Sequence, residues 1–323
     1  MAPATIAADF EAQAGPFRRE LVVHCYRLLG SVHEAEDLVQ ETMLRAWRAR
    51  DRYDENLASV RTWLYKIATN ACLTALAARA RRPLPSGLGP PSDNPDAPLV
   101  PALDVPWLQP FPDARFADPA EQVVQRGTLR LAVIAALQLL PPRQRAAIIL
   151  RDVLDFTAAE VADLLDTTTA AVNSALQRAR ASLARGTTES QFGEPSDAAI
   201  GQIVDRYIRA FEAADVDTLV TLLTEDAVLE MPPVPLWYYG RADYGRFIAR
   251  VFAMRGTDWR MIRISANGQP AVAAYCRGAD GAYRLHTLQV FTVTTAGIAS
   301  NVVFQDPQVF RAFALPAVTE PLG

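Results

Sequence analysis

The chain has 323 residues, 50% of them apolar and 21% charged, with a formal net charge of −4. That length allows two or three domains, each able to bury a core, and the composition is that of a soluble globular chain. No apolar run approaches the ~20 residues that a membrane helix needs, and the N-terminal stretch lacks the basic-then-apolar order of a secretory signal. Cys25, Cys72 and Cys276 are far apart in sequence and form neither a zinc spacing nor a disulfide framework, so they read as buried single thiols in a reducing, cytoplasmic setting.

An acidic total argues against non-specific nucleic-acid binding, but the charge is unevenly spread. No acidic residue lies between Glu55 and Asp93, a stretch that holds Arg61, Lys66, Arg79, Arg81 and Arg82. The run from Thr167 to Arg185 is also free of acids and carries Arg178, Arg180 and Arg185. Two local basic segments point to nucleic acid more directly than the total does. Residues 10–82 and 120–186 read as helical blocks, 83–119 as a proline-rich linker, and 198–313 as a third block.

In the first block, Val39, Met43 and Trp47 recur at helical spacing and mark a buried stripe. Asp37, Glu41 and Arg45 fall on another face, which in an anonymous helix is a solvated face with i,i+4 pairing. The stretch VRTWLYKIATNACLTALAARARR predicts a long helix with Leu64, Ile67, Ala68 and Ala71 inward. Thr62, Lys66, Thr69, Asn70 and Leu73 are predicted outward, a cationic, hydrogen-bonding side suited to phosphates and bases. The preceding RYDENLASV reads as a loop able to hold an unstacked base.

The segment 83–119 holds eleven of the 23 prolines and excludes long regular structure. A spacer needs only length and polarity, yet VPWLQPFPD sets Trp107, Leu108 and Phe111 between prolines. They are predicted to be docking groups, pre-extended by the prolines so that docking loses less entropy.

The second block carries a helix-turn-helix pattern. Thr157 with Glu160 predicts a capping box opening a short helix with Val161, Leu164 and Leu165 on its apolar side. Asp166 and two threonines form the turn, and a threonine caps the next helix. That helix is expected to bury Val172, Ala175, Leu176, Ala179 and Leu183. It would expose Thr169, Ala170, Asn173, Ser174, Gln177, Arg178 and Ala181, as a major-groove recognition helix does.

Together the two blocks resemble sigma-70-family initiation factors of the extracytoplasmic-function type. DLVQETMLRAW is similar to the family's region 2.2, RTWLYKIATNACL to regions 2.3 to 2.4, and the helix-turn-helix to region 4. The resemblance implies that Asp37, Gln40, Glu41 and Arg45 contact the β′ clamp of core RNA polymerase. It implies that Arg61, Thr62, Lys66, Thr69 and Asn70 contact the −10 strand, with 53–60 as the base-capturing loop. Thr169, Asn173, Ser174, Gln177 and Arg178 would read the −35 element, and region 4 would meet the β flap. The family often has Gly in the region 4 turn where this chain has Asp166, and often has lysine and arginine where Asn173 and Ala175 stand.

The third block opens with a helix showing Ile200, Val204, Tyr207, Ile208 and Phe211 on one side, then adds helices and strand-like runs at 259–265, 271–276, 283–294 and 298–304. Helices followed by a curved antiparallel sheet predict an α+β cone. LLTEDAVLEMPP and WYYGRADYGRFI resemble the SnoaL-like fold. The fold class is therefore multidomain: two all-α sigma domains followed by an α+β SnoaL-like cone. Met231, Trp237, Tyr238, Trp259 and His286 are candidate pocket lining, with Tyr275 and Phe304, and Asp226 with His286 is a candidate acid–base pair. Aromatic filling of the cone is the plainer account of these residues. WLQPFPD resembles the aromatic–proline motif of sigma subgroups carrying this appended domain, whose role is to tune sigma activity in cis. No cofactor, metal or catalysis is expected. The alternative is a helix-turn-helix regulator with a ligand-binding, isomerase-like C-terminal domain, which differs in never binding polymerase.

Overall fold

The computed structural model describes residues 10–79, 81–116, 126–186, 193 and 195–319. The chain divides into two compact units, Met1–Arg82 with Thr128–Thr188 and Pro83–Gly127 with Glu189–Gly323. The proline-rich segment therefore belongs to the unit of the third block. The start of the second block at residue 120 lies outside the described residues.

In the first unit, α1 (Arg18–Leu29) ends at Gly30, whose φ of 70° lets its N–H reach the Tyr26 carbonyl at 2.7 Å and reverses the chain into α2 (Val32–Ala49). Ser31 caps α2, and Ser59 caps α3 (Val60–Ala77) by accepting from the Thr62 N–H at 3.1 Å. The second block follows as α4 (Leu131–Gln138), α5 (Pro142–Ile148) with a wider π turn over Ile149–Val153, α6 (Ala158–Leu164) and α7 (Thr169–Gly186). Leu21, Leu28, Val39, Leu64 and Ala68 of the first block, and Leu137, Val161 and Leu176 of the second, are buried.

A buried arginine joins the two helical blocks. Arg145 donates to Gln138 Oε1 at 2.6 Å, to the Gln138 and Leu140 carbonyls at 3.0 and 3.1 Å, and to the last-turn carbonyl of Leu28 in α1. Burial lowers its pKa to about 10, which still leaves the guanidinium charged and its donors matched to carbonyls. Cys25 and Cys72 are free and buried, as the sequence reading expected, whereas Cys276 is only half-buried. Burial first, then Cys25, raises the Cys72 pKa well above the usual thiol range.

The second unit is a mixed sheet with helices. Its strands are β1 (Leu223–Glu230), β2 (Trp237–Tyr239), β3 (Trp259–Ala266), β4 (Gln269–Arg277), β5 (Tyr283–Thr294), β6 (Gly297–Phe304) and β7 (Val318–Thr319). The order is β2-β1-β6-β5-β4-β3, with β7 on β5. All neighbours are antiparallel except β1 and β6. The expectation of a purely antiparallel sheet is corrected there: the chain crosses to the far edge through α10 (Arg241–Arg255), and three antiparallel steps bring β6 back parallel to β1.

Helices α8 (Asp197–Glu212), α9 (Val216–Thr221) and α10 pack Val204, Phe211, Leu219 and Phe247 against Leu229, Val272, Phe291 and Val303 of the sheet. A short α11 (Pro307–Ala312) follows β6. Two residues of the β3–β4 hairpin, Asn267 (φ 57°) and Gly268 (φ 65°), take the left-handed conformation that matches the twist of paired strands.

Candidate functional site

Along α2, the 3.6-residue period buries Val39, Met43 and Ala46 and leaves Asp37, Gln40, Glu41, Leu44 and Arg45 exposed on one face. Arg45 donates to Glu41 Oε1 at 2.7 and 3.1 Å, so the two charges are held in register. Leu44, 46% exposed at the centre of this charged face, was missed by the sequence reading. An apolar residue at a polar position of the period was the available signal.

Helix α3 departs from expectation. Thr69, predicted outward, is fully buried, and its Oγ1 meets Nε2 of the equally buried His24 in α1 at 2.8 Å. The placement of Thr69 on the surface is corrected: the polar group is satisfied inside the core by a partner 45 positions away. Burial, then Arg27 and Arg61, lowers the His24 pKa to about 3, so the imidazole is neutral.

Arg61 lies 3.4 Å from Glu20 and over the rings of Tyr65 and Phe156. Lys66 Nζ donates to the Asp163 carbonyl and to Asp166 Oδ1, both at 2.8 Å. Thr62 Oγ1 is 3.0 Å from the capping Ser59, and Asn70 is half-buried. In the loop before α3, Tyr53 stacks near Trp63, 4.9 Å between centroids, and donates to the Ala58 carbonyl at 2.9 Å. Leu57 at its tip is 84% exposed.

The helix-turn-helix follows its sequence closely. The Thr157–Glu160 capping box is formed. Asp166 adopts φ 48°, and Thr168 Oγ1 caps α7 through the Ala171 N–H at 3.2 Å. Thr169, Ala170, Asn173, Ser174, Gln177, Arg178 and Ala181 are all exposed, while Val172, Leu176 and Ala179 are buried.

The proline-rich segment has two 3₁₀ turns, Pro85–Gly87 and Asp113–Arg115, and packs with the third block. At one end the Ser86 N–H donates to buried Glu230 at 2.8 Å, where desolvation raises the carboxyl pKa. At the other end the β3–β4 hairpin clasps it. Asn267 Oδ1 accepts from the Phe111 N–H at 2.7 Å, and the Asn267 N–H donates back to the Phe111 carbonyl at 2.9 Å. The Gly268 N–H donates to both oxygens of buried Asp113, at 2.9 and 3.1 Å. A Cβ on Gly268 would lie 2.9 Å from Arg126 Cα. Leu108 and Phe111 are buried, and half-buried Trp107 donates its indole N–H to the Ala102 carbonyl at 2.9 Å.

The third block holds a cavity of about 480 Å³. Met231, Trp259 and His286 line it, as the sequence reading proposed. Trp237 and Tyr238 do not. Trp237 donates its indole N–H to the Gly89 carbonyl at 2.9 Å, and Tyr238 stacks on Phe247 with its hydroxyl 3.3 Å from the Asn94 carbonyl. Tyr275 and Phe304 also fall outside the lining, since the two-residue period turns them away from Ala274 and Val303 of the core. The proposed Asp226–His286 pair is not formed. Asp226 is exposed on β1, and the groups acting on His286 are burial and Arg255, which lower its pKa to about 4. His286 is the extra residue where the β4–β5 register shifts, and that bulge re-aims its ring toward the cavity.

Among the described residues there is no group of three or more His, Cys, Asp or Glu side chains placed to hold a metal ion. None of their helices is long and apolar enough to cross a membrane.

The chain matches the family profiles of sigma-70 region 2 over 15–82, sigma-70 region 4 over 130–183 and the SnoaL-like domain over 204–301. It is 48% identical over 313 residues to the ECF RNA polymerase sigma factor SigG of Mycobacterium tuberculosis, covering 95% of this chain and 84% of SigG. It is 32% identical over 252 residues to ECF RNA polymerase sigma factor SigJ of the same organism, covering 78% of this chain and 69% of SigJ. The crystal structure of M. tuberculosis SigJ superposes with a TM-score of 0.65 at 26% identity, covering 96% of this chain and 99% of that one.

Proposed function

The chain belongs to the extracytoplasmic-function RNA polymerase sigma factors, and from that premise we propose which of its surfaces carries each part of the work. As a sigma factor it binds core RNA polymerase and promoter DNA and directs promoter-specific initiation. The α2 face, with Asp37, Gln40, Glu41 and Arg45 around Leu44, docks on the β′ clamp. Rigid carboxylates set register and partner choice, and the leucine supplies apolar area. Arg61, Thr62, Lys66 and Asn70 of α3, with the 53–60 loop, take the −10 strand. Helix α7 takes the −35 element through Thr169, Asn173, Ser174, Gln177 and Arg178, and region 4 meets the β flap.

The observation that carries this assignment is the α7 face. Small polar groups at its N-terminal end and Arg178 behind them match what a major groove reads. The work is done by binding rather than covalent chemistry. The SnoaL-like domain tunes it in cis, and the segment around Phe111 is the coupling element.

Transcription by purified core polymerase tests the assignment. Asp37→Arg with Glu41→Arg is expected to abolish core binding and initiation while the DNA-reading helices stay folded. Core binding that survives both substitutions overturns the α2 assignment. Truncation after Arg185 is expected to change transcript output from a cognate promoter, and an unchanged output overturns tuning in cis.

A further inference from the structure

The cavity of the SnoaL-like domain has mostly apolar walls and, among the described residues, one fully buried lining oxygen without a hydrogen-bond partner. At its floor, Tyr207 of α8 donates to Gln289 Oε1 at 2.9 Å. Asn301 of β6 donates its amide hydrogens to the Tyr244 hydroxyl at 2.7 Å and to Gln289 Oε1 at 3.0 Å. Gln289 Nε2 donates to Thr287 Oγ1 at 3.4 Å, which turns Gln289 Oε1 toward Tyr207 and Asn301; against that oxygen, the reverse Asn301 orientation would set two acceptors facing each other. Both hydrogens are thereby used. Asn301 Oδ1, on a side chain of the cavity lining that is 1% exposed, has no partner. A buried acceptor left empty is costly, and native proteins fill such positions.

The remaining walls set the rest of the ligand. Met231, Phe247, Ile248, Trp259 and Val303 supply apolar and aromatic surface around about 480 Å³, a volume typical of small-molecule sites. The imidazole of His286 is neutral near pH 7. Arg250 is engaged by the Pro95 and Ala97 carbonyls at 2.6 and 2.8 Å, and Arg255 is exposed. No carboxylate lines the cavity among the described residues. Leu99 and Pro101 of the proline-rich segment form part of the wall.

We propose that this cavity binds a small, largely apolar, neutral alcohol or phenol whose hydroxyl donates to Asn301 Oδ1, with the proline-rich segment against its other side. A ligand held there touches both the sheet and the segment. Its binding free energy therefore also favours the segment's docked state. The site stands on the cavity's own geometry and does not depend on the assignment of the polymerase and promoter surfaces.

Equilibrium dialysis of the full chain against 2-naphthol and 2-methoxynaphthalene tests it, since the two differ in the donor and little else. The phenol is expected to bind about tenfold more tightly than its methyl ether. Asn301→Leu should bring the two affinities together. Val251→Trp, on the half-buried wall contributed by α10, should block both ligands whether or not the Asn301 variant folds. Equal binding of the two ligands to the unaltered chain, binding of neither, or binding undiminished by Val251→Trp overturns the proposal.

Discussion

Helices α3 and α7 are both assigned to promoter DNA, and they hold their polar side chains in opposite ways. The assigned side chains of α7 stand in solvent, ready for a groove. Those of α3 are largely occupied by the protein itself: Arg61 with Glu20 and two rings, Thr62 with Ser59, Lys66 with the region 4 turn. On the proposed assignment, the difference teaches that a surface for duplex DNA can be preformed, whereas the α3 surface would have to exchange internal partners for phosphate and base. Exchange lowers net affinity but leaves the protein stable when DNA is absent.

The comparison is broken most directly at α7. Asn173→Ala with Arg178→Ala is expected to weaken binding to a −35 duplex about a hundredfold, each good base contact being worth about 1–3 kcal/mol. Fluorescence anisotropy reads this, and unchanged affinity would sink the claim that α7 is the preformed surface.

The core side of α3 is sharpened by pH. His24 titrates near its usual value of 6.5 when unfolded and near about 3 when folded, so the unfolded chain takes up a proton first. Stability is therefore fully present above pH 6.5 and falls below it, by up to about 1.4 kcal/mol per pH unit from this group. Denaturant titrations from pH 7 to pH 5 should show the slope, and a substitution at His24 should flatten it.

Thr69→Val should cost about 1 kcal/mol of stability by stranding the His24 nitrogen. The −10 strand affinity of the folded protein should be unaffected. A loss of DNA affinity without a loss of stability would return Thr69 to the surface role.

The smallest effect expected is at the Lys66 pair. Asp166→Asn keeps a residue that tolerates positive φ and removes the charge opposing release of Lys66. Pairs this exposed are worth little, so single-stranded −10 DNA should bind about twofold to threefold more tightly. Weaker binding would mean that the pair does not compete with DNA.

The legibility of these features followed how local they are. The α7 face, its capping box and its turn were readable because period and caps act within a few residues. Phe111 and Leu108 were readable as docking groups, since rings between prolines have no use in water. Thr69 was misread because threonine suits either side of a helix and its partner sits on α1. Trp237 and Tyr238 were misread because their carbonyl partners lie more than a hundred positions earlier, on the proline-rich segment. The Asn301 network left no sequence trace beyond polar side chains scattered in otherwise apolar elements, and the hairpin at Asn267 and Gly268 that clasps the proline-rich segment was not read from the sequence.

That clasp also governs length. The chain leaves sigma region 2 at Arg82, runs through the second unit, and returns to region 4 at Thr128. Fully extended, the intervening 45 residues (83–127) would span about 150 Å. While Glu230 holds Ser86 and Gly268 holds Asp113, the contour between those two points is stored against the sheet and cannot be drawn upon. Any increase in the separation of the two promoter-reading regions must come from the unfastened remainder or from opening these attachments. On the proposed assignment, these attachments would limit the free chain length available between the two DNA-reading regions.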